Sequence, residues 1–205
     1  MERPGVTLKP IITIDGKHVL NMVIFEDVRV PADYLIGEEG KGWTYSQYLL
    51  GFERTSYARI GGKRKQLSHI RALATAEPTG GNRKLIDDAA FARKLADADI
   101  AVDGLEMTVL RVLSAVKDGG SPGKEASIIK ILATETAQQI TTLYLDVAAA
   151  HGQRKFDDCV SPDWTGHADY AASGVSTYFG ARAQSIYGGT NEIQKNIIAK
   201  RVLGL

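Results

Sequence analysis

Apolar positions in the first 36 residues follow strand patterns. Residues 6–14, Val-Thr-Leu-Lys-Pro-Ile-Ile-Thr-Ile, form a β-branched run interrupted by Pro10. Asp15-Gly16 signals a turn, and Val19 to Phe25 is a second β-prone run. Val28-Arg29-Val30 predicts a third short extended piece, because Pro31 biases Val30 away from helix. Gly37, Gly40 and Gly42 then make a flexible junction, and the period changes.

From Trp43 to about Ala76 the pattern is helical, and Pro78-Thr79-Gly80-Gly81 stops it. The next helix carries Phe91, Leu95, Ala98, Val102, Leu105, Val109, Val112 and Val116 at alternating steps of four and three, a sustained a/d seam. Gly119-Gly120-Ser121-Pro122-Gly123 breaks it. A third helix is expected from about Lys124 to Ala150, with Ile129, Leu132, Ile140, Leu143 and Val147 on one side. Residues 151–163 read as a polar loop, and a fourth helix covers about Thr165 to Ala183. Tyr187-Gly188-Gly189 interrupts the chain before a short last helix that runs to about Val202.

The expected fold is mainly α: an antiparallel four-helix bundle over residues 37–205, preceded over residues 1–36 by a few strands. Three short strands cannot close a sheet alone. They read as the tail of a truncated β-domain, which would make the chain a fragment of a longer parent, or as an arm docked on the bundle.

Composition narrows the function classes. Hydrophobic residues are 44% and charged residues 24% of the 205, a globular balance. Lys and Arg total 25 against 24 Asp and Glu, and a net charge of +1 argues against a nucleic-acid or electrostatic membrane partner. No apolar run reaches the roughly 18 residues of a spanning helix, and the first residues lack a secretory pattern, so a cytoplasmic location is expected. The lone Cys159 excludes an intrachain disulfide and a multi-Cys zinc site. His18, His69, His151 and His167 are scattered and no Glu-x-x-His pair occurs, so no metal is expected. Trp43 and Trp164 read as packing anchors.

Two segments carry candidate chemistry. Glu53 has helical neighbours Leu49, Leu50, Ser56 and Tyr57, none of them cationic. A carboxylate in that stripe is desolvated toward the pKa range of a general base. Arg54 lacks an acidic helical neighbour and is free for an anion, though both side chains could equally snorkel or pair with another helix. In Tyr187-Gly188-Gly189-Thr190-Asn191-Glu192-Ile193-Gln194, two glycines let backbone approach a ligand. Thr190 or Asn191 can cap the following helix, with Gln194 as capping-box partner of Asn191. The free N–H groups there suit an anion or carbonyl, while an ordinary capped turn explains the same residues.

Together these segments resemble the acyl-CoA dehydrogenase family. Phe25-Glu26-Asp27-Val28-Arg29-Val30-Pro31-Ala32 with Gly37-Glu38 is similar to the exit from its β-domain, and Gly40-Lys41-Gly42-Trp43 to the entry of its C-terminal bundle. Glu53-Arg54 and Tyr187 to Gln194 are similar to its two active-site segments, in matching order and spacing. The branch it looks closest to is the large-subunit one typified by pimeloyl-CoA dehydrogenase. The resemblance implies removal of an α-proton from an acyl-CoA thioester and passage of a β-hydride to FAD, with electron-transfer flavoprotein as acceptor and homo- or hetero-oligomers formed through the bundle. Many members place the catalytic glutamate directly after the tyrosine of the second segment, where this chain has Gly188. A minority place it before the arginine of the first, where this chain has Glu53. Arg54 then matches a CoA contact, Tyr187, Gly188 and Gly189 the substrate-side segment, and Thr190 and Glu192 flavin contacts. Two cofactor segments of the family are replaced here, by Glu77-Pro78-Thr79-Gly80-Gly81 and by Ala150-His151-Gly152-Gln153, so no contact is carried over from them. A non-catalytic assembly bundle is the competing expectation, and in either case the 205 residues alone are expected to be inactive.

Overall fold

The computed structural model describes residues 3–117, 126–149 and 169–205, with the side chains of 51–55, 116 and 169–173 left out. The chain opens with strand β1 (Val6–Ile12) paired antiparallel to β2 (His18–Phe25). Gly16, at φ +75°, makes the turn that Asp15-Gly16 predicts, and its N–H donates to Thr13 O at 2.9 Å. Pro10 pairs with Asn21 in a two-stranded ribbon, where a missing N–H is tolerated because both strands are edges. Residues 28–30 pair with no strand among the described residues, so the expected third strand is absent. The ribbon touches the bundle at its turn, where Ser176 Oγ donates to Asp15 O at 3.3 Å.

The helical stretch expected as one element is two: α1 (Gly42–Ser56) and α2 (Ile60–Ala76). Arg59 between them adopts a left-handed conformation, φ 40° and ψ 47°, which no α-helix contains. The apolar periodicity crosses this joint uninterrupted, which is why the pattern hides it. Glu77-Pro78 then ends α2, and a small hairpin, β3 (Pro78–Gly80) with β4 (Arg83–Lys84), reverses the chain. Asp88 Oδ1 accepts from Phe91 N at 2.8 Å and caps α3 (Ala89–Lys117).

α3 buries the seam that its spacing predicts. Phe91, Leu95, Ala98, Val102, Leu105 and Val112 are all buried, while Val109 is half-buried. Phe91 to Val102 pack on Leu67, Ile70 and Ala74 of α2 and on Ile140, Leu143 and Val147 of α4 (Ala126–Ala148), while Leu105 and Val112 pack on Ala58 and on Ile129 and Ala133 of α4. Burying side chains of this size contributes about 1.5–3 kcal/mol each. α4 is the hub, in contact with α1, α2, α3, α5 (Asp169–Arg182) and α6 (Asn191–Ile198). Ile129, Ile140, Leu143 and Val147 are buried as expected, but so are Lys130, Thr134 and Thr141 on other faces. Arg64 pairs with Asp103 and Glu106, Arg71 with Asp99 and Lys94 with Asp146 along the exposed seams. The breaks at 119–123 and 151–163, with Cys159, His151, Trp164 and His167, lie outside the described residues.

One expectation about α1 changes. Trp43 is 71% exposed and is no packing anchor among the described residues. Tyr45, Tyr48 and Leu49 are exposed too, because among the described residues α1 packs chiefly on α4 and these side chains lie off that face. The same is true of most of the β1–β2 ribbon, where Ile12, Val19, Leu20 and Phe25 are exposed.

Candidate functional site

The end of α1 and the glycine pair before α6 meet in space. Tyr57 lies one helical turn after Glu53 in sequence, and its hydroxyl rests on Gly188. A Cβ built on Gly188, at φ +67°, would stand 2.1 Å from Tyr57 Oη, and the Tyr57 and Tyr187 rings are 6.4 Å apart. Any side chain at 188 displaces Tyr57, so glycine is required by both space and backbone. Gly189, at φ +85°, faces Gln194, whose Nε2 stands 2.5 Å from where a Cβ would be. The side chains of Glu53 and Arg54 lie outside the described residues; their helix is described, and it delivers its last turn to this junction.

α6 begins as the sequence predicts, with one change of roles. Thr190 is the cap, its Oγ1 accepting from Ile193 N at 3.2 Å. Asn191 is not a capping alternative but is buried, its Oδ1 accepting from Lys130 Nζ at 2.9 Å and Thr134 Oγ1 at 3.2 Å. Gln194 is fully buried rather than a capping-box partner, with its Nε2 donating to Gly189 O at 3.4 Å and its Oε1 without a partner among the described residues. Inward hydrogen bonds to α4 win over local capping because α6 packs its first turn against that buried helix. Burial pushes the Lys130 ammonium below its usual range, opposed by the nearby charge of Glu192. Glu192 is exposed, and its own N–H and the Thr190 hydroxyl hold its carboxyl below the ordinary range.

Beside Tyr187 a polar cavity of about 460 Å3 opens between the helices. Ser56 lines it from the end of α1, Tyr57 and Arg59 from the joint, and Gly62, Lys63 and Gln66 from α2. Ala137 and Thr141 of α4, Thr177 of α5, Gln184 and Tyr187 form the rest of the wall. Lys63 is buried, and its Nζ donates to Ala58 O at 2.8 Å. Burial, reinforced by the charge of Arg59, lowers its pKa to about 8. Partial burial raises the Tyr187 phenol, with Arg59 pulling the other way. Sequence reasoning missed both buried lysines. The signal for Lys63 is its place on the apolar stripe Lys63, Leu67, Ile70, Ala74; Lys130 heads the polar face Lys130, Thr134, Thr141. No cluster of three metal-ligating side chains occurs among the described residues.

Fold and junction together define a helical-bundle domain with a polar cavity beside a glycine-led helix start. The chain belongs to the acyl-CoA dehydrogenase family: the family model described as acyl-CoA dehydrogenase, C-terminal domain, matches residues 40–203. It is 30% identical over 207 residues to acyl-CoA dehydrogenase IpdE1 of Mycobacterium tuberculosis, covering 100% of this chain and 49% of that protein. It is 27% identical over 213 residues to the mitochondrial short-chain specific acyl-CoA dehydrogenase of Bos taurus, covering 99% of this chain and 46% of that one. Among solved structures, the ChsE4–ChsE5 complex of Mycobacterium tuberculosis superposes with a TM-score of 0.80 at 25% identity, over 100% of this chain and 51% of that one. PigA with FAD and proline shares the fold at a TM-score of 0.77 and 19% identity, over 100% and 50% of the two chains. The chain spans about half the length of the curated relatives it matches. No helix among the described residues is long and apolar enough to cross a membrane.

Proposed function

We propose that the chain forms the C-terminal part of an FAD-dependent acyl-CoA dehydrogenase, with Glu53 as the base that takes the α-proton of an acyl-CoA thioester. The observation that carries this reading is the packing of Tyr57 on Gly188: it brings the Glu53 helix to the segment where many relatives keep their base and this chain has none. A thioester carbonyl set against the backbone at Gly189 would have its α-carbon acidified by hydrogen bonds, so a base there needs only a modestly raised pKa. Tyr187 and Gly188 wall the acyl side, and Arg54 is the cation for the coenzyme A portion.

The start of α6 fits a flavin. Glu192 is an exposed, ionised acceptor beside the Thr190 cap, suited to the hydroxyl and N–H donors of FAD, and the glycine pair leaves backbone free for close approach. FAD, when bound, supplies hydride acceptance. The residues of this chain orient it and hold the proton. Electron-transfer flavoprotein is the proposed acceptor. Oligomers through the bundle are supported by Ile100, Met107 and Leu110, an exposed apolar line on α3 opposite the core seam, and by the two-protein complex among the similar structures. The same line favours the second reading, an assembly subunit without chemistry.

One experiment separates the two. The intact protein is expected to copurify with FAD and to bleach on addition of acyl-CoA, whereas an assembly subunit stays colourless. Glu53→Gln is expected to lower dehydrogenation by about two orders of magnitude or more while flavin stays bound, as loss of a proton-transfer group does. Near-normal turnover in that variant refutes the assignment.

A further inference from the structure

The cavity beside Tyr187 carries a charge that the dehydrogenation reading does not use. Helix N-termini are partially positive and favour acids in the first turn. The start of α2 reverses this. It has no acid in its first turn and no side-chain cap, and Arg59, Lys63 and Arg64 fall within six residues. Arg64 is matched by Asp103 and Glu106. Arg59 and Lys63 have no carboxylate partner among the described residues. Lys63 is only 5% exposed, and among the described residues its one hydrogen bond, to Ala58 O, leaves two of its three N–H groups without a partner. A buried ammonium without a counter-ion is costly, and a guanidinium beside it raises the cost. Apart from Gly62 and Ala137, the rest of the wall ends in hydroxyl or amide groups, and it contains no acid among the described residues.

We infer that this cavity is an oxyanion subsite, in which Lys63 and Arg59 receive a carboxylate or phosphate group carried by the ligand. The inference rests on the acyl-CoA reading for its setting. Two parts of such a ligand share the chemistry: a carboxylate at the far end of the acyl group, and a phosphate of the nucleotide portion. The place of the cavity, among helices and beyond Tyr187, suits the end of a chain whose reacting carbon lies at the glycine pair.

Calorimetric titration of the intact protein tests this without turnover, so its failure is separable from that of the Glu53 assignment. The probes are a saturated acyl-CoA, the acyl-CoA of equal length with a terminal carboxylate, free coenzyme A and inorganic phosphate. Lys63→Met is expected to weaken at least one oxyanion probe about tenfold, the scale of one charge-assisted hydrogen bond, and Lys63→Arg to restore most of it. Loss confined to the carboxylate-tailed thioester assigns the subsite to the acyl end. Loss for free coenzyme A and phosphate assigns it to the nucleotide. Equal affinity of wild type and Lys63→Met for all four probes overturns the inference. Should Lys63→Met fail to fold by circular dichroism, Arg59→Gln carries the same comparison with the same outcomes.

Discussion

A single missing carbon sets the geometry of the junction. Gly188 holds φ +67° with the Tyr57 hydroxyl where a Cβ would be. Gly188→Ala is therefore expected to destabilise the protein by about 1–3 kcal/mol, from a strained backbone plus a displaced tyrosine. Adding Tyr57→Ala should recover the steric part and leave the backbone part, which thermal melts of the single and double variants resolve. Lys63 gives a second prediction. Its pKa near 8 in the folded state lies below the ordinary 10.5, so the unfolded chain binds more protons between those values. Stability is thus expected to rise as pH climbs from about 8 to 10.5, by up to about 3 kcal/mol, with the full penalty in force below 8. Lys63→Met should flatten that rise in denaturant midpoints taken across the same range.

At the scale of elements, α6 separates two kinds of polar contact. Thr190 is a partly exposed cap, and Thr190→Ala is expected to cost about 1 kcal/mol. Asn191 Oδ1 is the acceptor of the buried Lys130 ammonium among the described residues, and Asn191→Ala should cost about 2–3 kcal/mol, more than the cap. Denaturant unfolding of the two variants checks the order. The sequence made α3 readable because its seam is one face packed on one core, from Phe91 to Val112. It did not make the α1–α2 joint readable, since apolar spacing continues through Arg59 and the nearby Gly61-Gly62 pair falls inside α2 rather than at the left-handed residue. The inward turn of Asn191 and Gln194 was likewise hidden. Both are good capping residues, but Asn191 turns to Lys130 and Thr134 of α4, and Gln194 reaches back to Gly189 O. Of the candidate site, the meeting of the first and last segments was legible because two incomplete motifs complement each other. The cavity was not, because its walls come from five stretches of chain that only the fold assembles.

The whole molecule leaves much apolar surface uncovered. Trp43, Tyr48, Leu49, Phe25 and Ile12 are exposed on α1 and the ribbon, and Ile100 and Met107 on α3. A two-stranded ribbon open on both faces is marginal by itself. Residues 1–205 in isolation are therefore expected to self-associate in light scattering and, on the proposed function, to bind FAD weakly or not at all. Tight stoichiometric flavin on a monodisperse monomer would contradict this expectation.

The left-handed arginine at position 59 acts as the elbow of a lever. The longer arm behind it is clamped by core packing, while the shorter arm carries the proposed base six residues away, on the last turn of α1. A swing at that elbow that shifts this turn by about 1 Å is large enough to cost about a hundredfold in rate. On the proposed function, the aim of the base thus hangs on one pair of backbone torsions.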